Sequence, residues 1–252
     1  MTVEKYLNRI GLRGPLPPTR ETLFALQKAH LYTVPYENLD ILAGVPLSLR
    51  AEDLYEKVVD RGRGGYCFEL NELFAWLLRA MGYQVIDYFA RFLRNETEIP
   101  KRRHHVLRVT IVNDPEDFLC DVGVGTGSPT YPIQLVEGVI QPQGENTYRL
   151  VRDHFLGWVL EEQKRGEFVR VFSFTEEPQL SKDFITTSYF CEHAVESPFN
   201  KAPMIAIRFD GGRKTLDGIE FREFDGDRVT ITPVEDPTER DRMLEEWFGL
   251  RQ

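Results

Sequence analysis

The spacing of apolar residues changes character along the chain. Over the first eighty residues it follows the three-to-four-residue period of amphipathic helices. Leu23, Leu26 and Ala29 share a stripe that begins after Thr19, a residue suited to cap a helix, and ends near Pro35. A second helical stretch covers residues 51–60. The clearest helix starts around Cys67: Cys67, Leu70, Phe74, Leu77 and Met81 fall at helical spacing, and Gly82 stands where a glycine stops a helix.

From Val85 the pattern changes to short β-branched or aromatic runs divided by turn residues, at 83–92, 105–112, 118–122, 148–151, 158–161 and 168–174. Residues 84 to about 190 therefore read as mainly antiparallel β-structure, a sandwich or barrel. The tail adds strands at 204–209, 218–224 and 228–233, with turns at Gly211-Gly212 and Asp225-Gly226. A closing helix spans 237–248, with Thr238 and Asp241 as a capping pair.

Composition narrows the class. The chain has 252 residues, 42% hydrophobic and 28% charged, with 17 Phe and 10 Tyr, enough to build sizeable cores. A net charge of −9 repels phosphate backbones, so nucleic-acid binding would need a segregated basic face. The run Lys101-Arg102-Arg103 reads as a solvated loop, compatible with a small polyanion such as the phosphates of a nucleotide-bearing cofactor. No signal-peptide pattern or membrane-length apolar run occurs. Three widely spaced cysteines without a CxxC pair argue against a disulfide framework and a metal site. A cytoplasmic setting is expected.

Within that frame, Cys67 is the candidate nucleophile. Gly64-Gly65 permits a tight turn just before it, and the start of a helix offers unpaired N–H groups and a dipole that favour an anion. Ionisation of a thiol calls for a histidine partner as well. Position alone leaves catalysis and simple packing evenly matched for Cys67, whereas Cys120 and Cys191 read as packing residues. His104 and His105 open a strand, and alternation puts His105 with Leu107, Val109 and Ile111, an apolar face, while His104 shares a mixed face with Val106, Arg108 and Thr110. His104 is therefore the better base, although a bulge at the strand end would exchange the two. Asp121, in an otherwise apolar strand, is the carboxylate that would orient the imidazole. The glycine-rich stretch Gly125-Thr126-Gly127-Ser128 can present backbone N–H groups to phosphates, or be no more than a turn.

Four motifs together resemble the arylamine N-acetyltransferases: Pro35-Tyr36-Glu37-Asn38-Leu39, Arg63-Gly64-Gly65-Tyr66-Cys67-Phe68-Glu69, the histidine strand at 104–111, and Asp121-Val122-Gly123-Val124-Gly125. They occur in that family's order and near its spacing, over most of residues 20–150. The resemblance implies an α+β fold with a cysteine-protease-like core: a helical bundle over 1–84 carrying the nucleophile, a β-barrel over 85–190 carrying His and Asp, and an α/β lid over 191–252. It implies a Cys67–His104–Asp121 triad, acetyl-CoA as acyl donor, an arylamine or hydrazine as acceptor, and coenzyme A contacts at Gly125, Thr126, Gly127 and Ser128. It implies no metal, nucleic-acid or membrane partner.

Two departures from the family pattern are the doubled histidine and Val124, where a Phe is usual. The segment at 113–117 is also slightly lengthened. The rival readings are an amide synthase fed by another acyl thioester, a cysteine hydrolase or transglutaminase-like enzyme, and an inert binding module.

Overall fold

The computed structural model describes residues 1–144, 146–226 and 228–251. Helices α1 (Val3–Arg9), α2 (Arg20–Thr33), α3 (Leu39–Leu42), α4 (Ala51–Tyr55) and α5 (Cys67–Ala80) form the N-terminal part. The Thr19 side chain accepts the Thr22 N–H, so α2 begins where the capping signal puts it. Past α4 the coil widens into a π-helical turn, Glu56–Asp60, which carries Lys57 inward.

Strands β1 (Gln84–Phe92), β2 (His104–Thr110), β3 (Asp117–Cys120), β4 (Ile133–Gln134), β5 (Gln141–Gln143), β6 (Asn146–Asp153), β7 (Gly157–Lys164) and β8 (Glu167–Phe174) make one antiparallel sheet. Its order is β4-β3-β2-β1-β8-β7-β6-β5. The two end strands are joined by side chains. The Gln141 carboxamide accepts from the Gln134 N–H (2.8 Å) and donates to its carbonyl (3.0 Å). Gln143 does the same with Tyr131, at 2.9 Å in both directions. A carboxamide has the donor and acceptor of a peptide unit, so two glutamines stand in for the eighth ladder and nearly close the barrel. Tyr88, Val106, Leu150, Leu160, Val171 and Phe172 belong to its interior core, while Leu107, Val109 and Phe118 on the opposite faces pack with Leu70, Phe74 and Leu77 of α5.

After the barrel come α6 (Phe184–His193) and a second sheet of four antiparallel strands, β9 (Met204–Phe209), β10 (Gly212–Asp217), β11 (Glu220–Asp225) and β12 (Arg228–Pro233), in the order β12-β11-β10-β9. The closing helix α7 (Pro237–Phe248) covers that sheet through Met243, Leu244 and Phe248 against Ile205, Leu216 and Phe221. No helix among the described residues is long and apolar enough to cross a membrane.

Three local expectations are corrected. Residues 184–193 are helical although rich in aromatic and β-branched side chains; Phe184, Ser188 and Cys191 are its buried positions, a helical spacing that decides the matter. The cap of α7 is Asp236, whose carboxylate accepts the Glu239 N–H at 2.8 Å, and Thr238 and Asp241 lie inside the helix. Gly212 opens β10 instead of completing a turn, which adds a strand to the tail.

Candidate active site

The local architecture around Cys67 begins with the glycine turn. A Cβ on Gly64 would lie 2.0 Å from the Pro35 carbonyl oxygen, so only glycine lets the turn run against the Pro35–Asn38 segment. The Glu37 N–H donates to the Gly65 carbonyl at 2.9 Å, making the contact a short backbone bridge. Beneath it lies a buried charge network. Arg63 donates to Glu37 and Asp40, and Lys57 sits 2.7 Å from both Asp40 and Glu69. Glu69 in turn accepts the Tyr66 N–H (3.1 Å), fixing the first turn of α5. Burial raises the Glu69 carboxyl to about 7 against the pull of Lys57.

Cys67 itself is 3% exposed. Its Sγ lies 3.9 Å from the carbonyl of Arg103, the residue before His104. Burial pushes the thiol up, Cys191 and Asp121 add to that, and the Phe68 N–H at the helix start pulls the other way. The helix terminus alone therefore does not make a resident thiolate; the proton needs an acceptor.

The histidine pair divides as strand alternation requires. His104 Nε2 is 2.9 Å from Asp121 Oδ2, and its ring lies beside Phe172 of the barrel core. His105 is wholly buried on the other face, with Nε2 2.9 Å from Asp87 Oδ1. Each histidine thus has its own carboxylate. Asp121 Oδ1 accepts from Asn71 (2.9 Å) and from the Gly123 N–H (2.7 Å). Asn71 also donates to the His105 carbonyl (2.7 Å) and accepts the Val122 N–H (3.0 Å). A Cβ on Gly123 would lie 2.7 Å from Cys67 Cα, so the aspartate loop presses directly on the nucleophile's backbone. Asn71 was not singled out by sequence reasoning. The signal was available: it stands four residues after Cys67, on the same face of α5.

Asn38 was quoted only as part of a motif, yet it is the tie to the C-terminal part. Its amide donates to the carbonyls of Phe199 (2.8 Å) and Ala202 (2.9 Å), and its oxygen accepts the Met204 N–H (2.8 Å). Tyr36 pairs with Ala206 of β9 through both backbone groups. Tyr66, Phe68, Phe184, Cys191 and Phe199 pack around Cys67, so α6 walls the site. Cys120 and Cys191 are fully buried, and all three thiols are free.

The stretch 125–128 forms a short 3-10 turn, Gly125–Gly127, followed by Ser128. Ser128 faces inward, accepting the Val124 N–H at 3.0 Å, and its carbonyl accepts from Arg208. Gly125 packs on Tyr36 and Ala206, and Thr126 lines a cleft of about 540 Å³ between the barrel and the second sheet. Among the described residues that cleft presents the cations Lys28, Arg94, Lys164, Arg208 and Arg213 against the carboxylates Glu162 and Asp210. Lys28 pairs with Asp210, and Arg94 and Lys164 with Glu162, while burial and the neighbouring Arg208 lower the Arg213 guanidinium below its usual value. The run Lys101-Arg102-Arg103 is paired throughout, with Glu196, Glu177 and Glu96.

Glu72, Asp87 and His105 offer potential ligand atoms within 4.8 Å of one another. Asp87 is already shared by Arg79 and His105, and Glu72 accepts from Ser181 (2.6 Å). The group is thus internally paired.

Comparison with known proteins follows the same outline. The family model described as N-acetyltransferase matches residues 19–251. The arylamine N-acetyltransferase of Mycolicibacterium smegmatis is 36% identical over 222 residues, covering 86% of this chain and 80% of that one. The arylamine N-acetyltransferase of Escherichia coli (strain K12) is 31% identical over 248 residues, covering 97% and 87%. The structure of Mycobacterium marinum arylamine N-acetyltransferase in complex with CoA superposes with a TM-score of 0.91 at 32% identity, over 98% of this chain and 92% of that chain.

Proposed function

The chain belongs to the arylamine N-acetyltransferase family, and from that premise we propose that Cys67, His104 and Asp121 carry acetyl transfer by a ping-pong course through an acetyl-cysteine. The observation that supports the reading is the carboxylate of Asp121, held 2.9 Å from His104 by Asn71 and by the Gly123 N–H beside Cys67. With Nε2 of His104 engaged by Asp121, Nδ1 is the nitrogen left to take the thiol proton.

The thiolate attacks the thioester carbonyl of acetyl-CoA, and N–H groups at the start of α5 face the developing oxyanion. The intermediate collapses with loss of the coenzyme A thiolate, which takes the proton from His104. One thioester replaces another, so the step has little net driving force in either direction. An arylamine or hydrazine then attacks acetyl-Cys67, gives its proton to His104, and leaves as the amide while Cys67 is released. Arylamines are mostly unprotonated near neutrality, so their lone pair is available.

Coenzyme A carries phosphates, and the Gly125, Thr126, Gly127, Ser128 loop with the cationic cleft beside it suits them. The proposed division of labour has residues 1–84 supplying the nucleophile, 85–190 the base and its carboxylate, and 191–252 the far wall of the cleft. Three free cysteines suit a reducing, cytoplasmic setting.

Intact-mass measurement after incubation with acetyl-CoA tests this directly. An acetyl adduct is expected on the protein, absent in Cys67→Ala and discharged by an added arylamine. No adduct, together with cleavage of amide or peptide substrates, would transfer the site to a hydrolase.

A further inference from the structure

His105 has no part in the proposed chemistry, yet it is a wholly buried imidazole whose neighbours reach every element of the site. Its Nε2 contacts Asp87 of β1, and Asp87 is paired with Arg79 of α5. Its ring lies against Phe184, with centroids 4.0 Å apart and planes at 24°. Phe184 begins α6 and packs on Phe89 (4.5 Å) and Phe68 (5.7 Å), the latter next to the nucleophile. The chain entering α6 docks on the same group: Gln179 N–H donates to the Asp87 carbonyl (2.9 Å), and Ser181 donates to Glu72 (2.6 Å). Further along α6, Ser188 lies 2.6 Å from the Tyr66 hydroxyl. On the main-chain side, the His105 carbonyl holds Asn71, which holds Asp121.

We propose that His105 is a positioning residue for acetylation of Cys67: its bond to Asp87 and its stack on Phe184 fix the His104 strand and the α6 wall in register with each other. This rests on the reading of Cys67 as nucleophile and His104 as base. Two His–Asp pairs then lie back to back on one strand, the first turned to the thiol and the second to the wall that encloses it.

The chemistry says why this position holds an imidazole. Nε2 faces the Asp87 carboxylate, and Nδ1 is buried with no partner among the described residues. The ring therefore serves as one donor plus one flat face. Phenylalanine would keep the face and lose the donor, leaving the buried Asp87 carboxylate to Arg79 alone. Glutamine would keep a donor at the place of Nε2 and lose the face. Simple space-filling predicts the opposite order of tolerance, because a core prefers the apolar ring.

The test is the single-turnover rate of Cys67 acetylation by acetyl-CoA, with a melting temperature for each variant. His105→Phe is expected to lower the rate by about tenfold while remaining folded, and His105→Gln to stay within about threefold of the parent. Phe184→Leu keeps the Asp87 pair and loses the stack; it should lower the rate by about threefold and keeps the question decidable if His105→Phe does not fold. Tolerance of Phe with failure of Gln makes His105 mere packing and overturns the proposal. Loss of all acetylation in both His105 variants makes His105 the base and also overturns it. An unchanged rate in Phe184→Leu does the same. An adduct that persists in Cys67→Ala removes the nucleophile assignment and this proposal together.

Discussion

His30 illustrates how a single buried side chain sets a pH limit. It is fully buried on α2, with Nδ1 3.0 Å from the Tyr6 hydroxyl and its ring edge-on to Phe74. Burial lowers its pKa from 6.5 to about 3. The unfolded chain therefore takes a proton below pH 6.5 that the folded chain refuses until about pH 3. Stability falls as pH drops through that window, by about 3 kcal/mol at pH 4 from this residue. His30→Gln, which offers Tyr6 a partner without a titrating ring, should flatten the fall in urea midpoint between pH 7 and 4; an unchanged slope would assign the acid sensitivity elsewhere. At this scale the sequence is most legible where chemistry restricts choice. Cys67, His104 and Asp121 stand out because a thiol, an imidazole and a carboxylate in those settings call for explanation. Asn71 does not, because an amide is acceptable at most helix positions and its three bonds exist only once β2 and β3 arrive.

Elements meet at this site with little room to spare. The loop after β3 touches α5 through Gly123, where any Cβ would collide with Cys67 and with the Asn71 amide at 2.6 Å. Gly123→Ala should leave a folded protein whose acetylation rate falls by about a hundredfold, since a shift near 1 Å is enough for such a loss. A rate near that of the parent, with an unchanged melting temperature, would mean that the loop and helix can part freely. Strands that are apolar or β-branched runs set off by turn residues, such as β2 and β9, and helices with a good cap, such as α2, could be read from the sequence. Strands β4 and β5, two and three residues long, carry too little pattern to be seen. Helix α6 was hidden for another reason. Its residues individually favour strands, and its helical form is paid for by burying Phe184, Ser188 and Cys191 against the Cys67 cluster.

The whole molecule is a barrel wedged between a helical body and a second sheet, and the glutamine seam is where its two end strands meet through side chains. Gln141 and Gln143 each make two hydrogen bonds to the backbone of the facing segment. Replacing either with Ala should cost about 1–2 kcal/mol in chemical denaturation, because a peptide donor and acceptor lose their partner together. If both variants unfold at the parent's denaturant midpoint, the seam contributes nothing. The order of the three parts was readable from the change of hydrophobic period, whereas closure of the barrel was not, since it depends on side chains that are polar, common and far from any motif. Gln143 and Tyr131 of the seam also line the cationic cleft. In evolutionary terms, this makes the seam a dial. Every other joint of the barrel is written in backbone and can be altered only by rebuilding a strand, but this one is written in two codons. A lineage could reshape the mouth of the cleft by point substitution, leaving the thiol and its partners untouched.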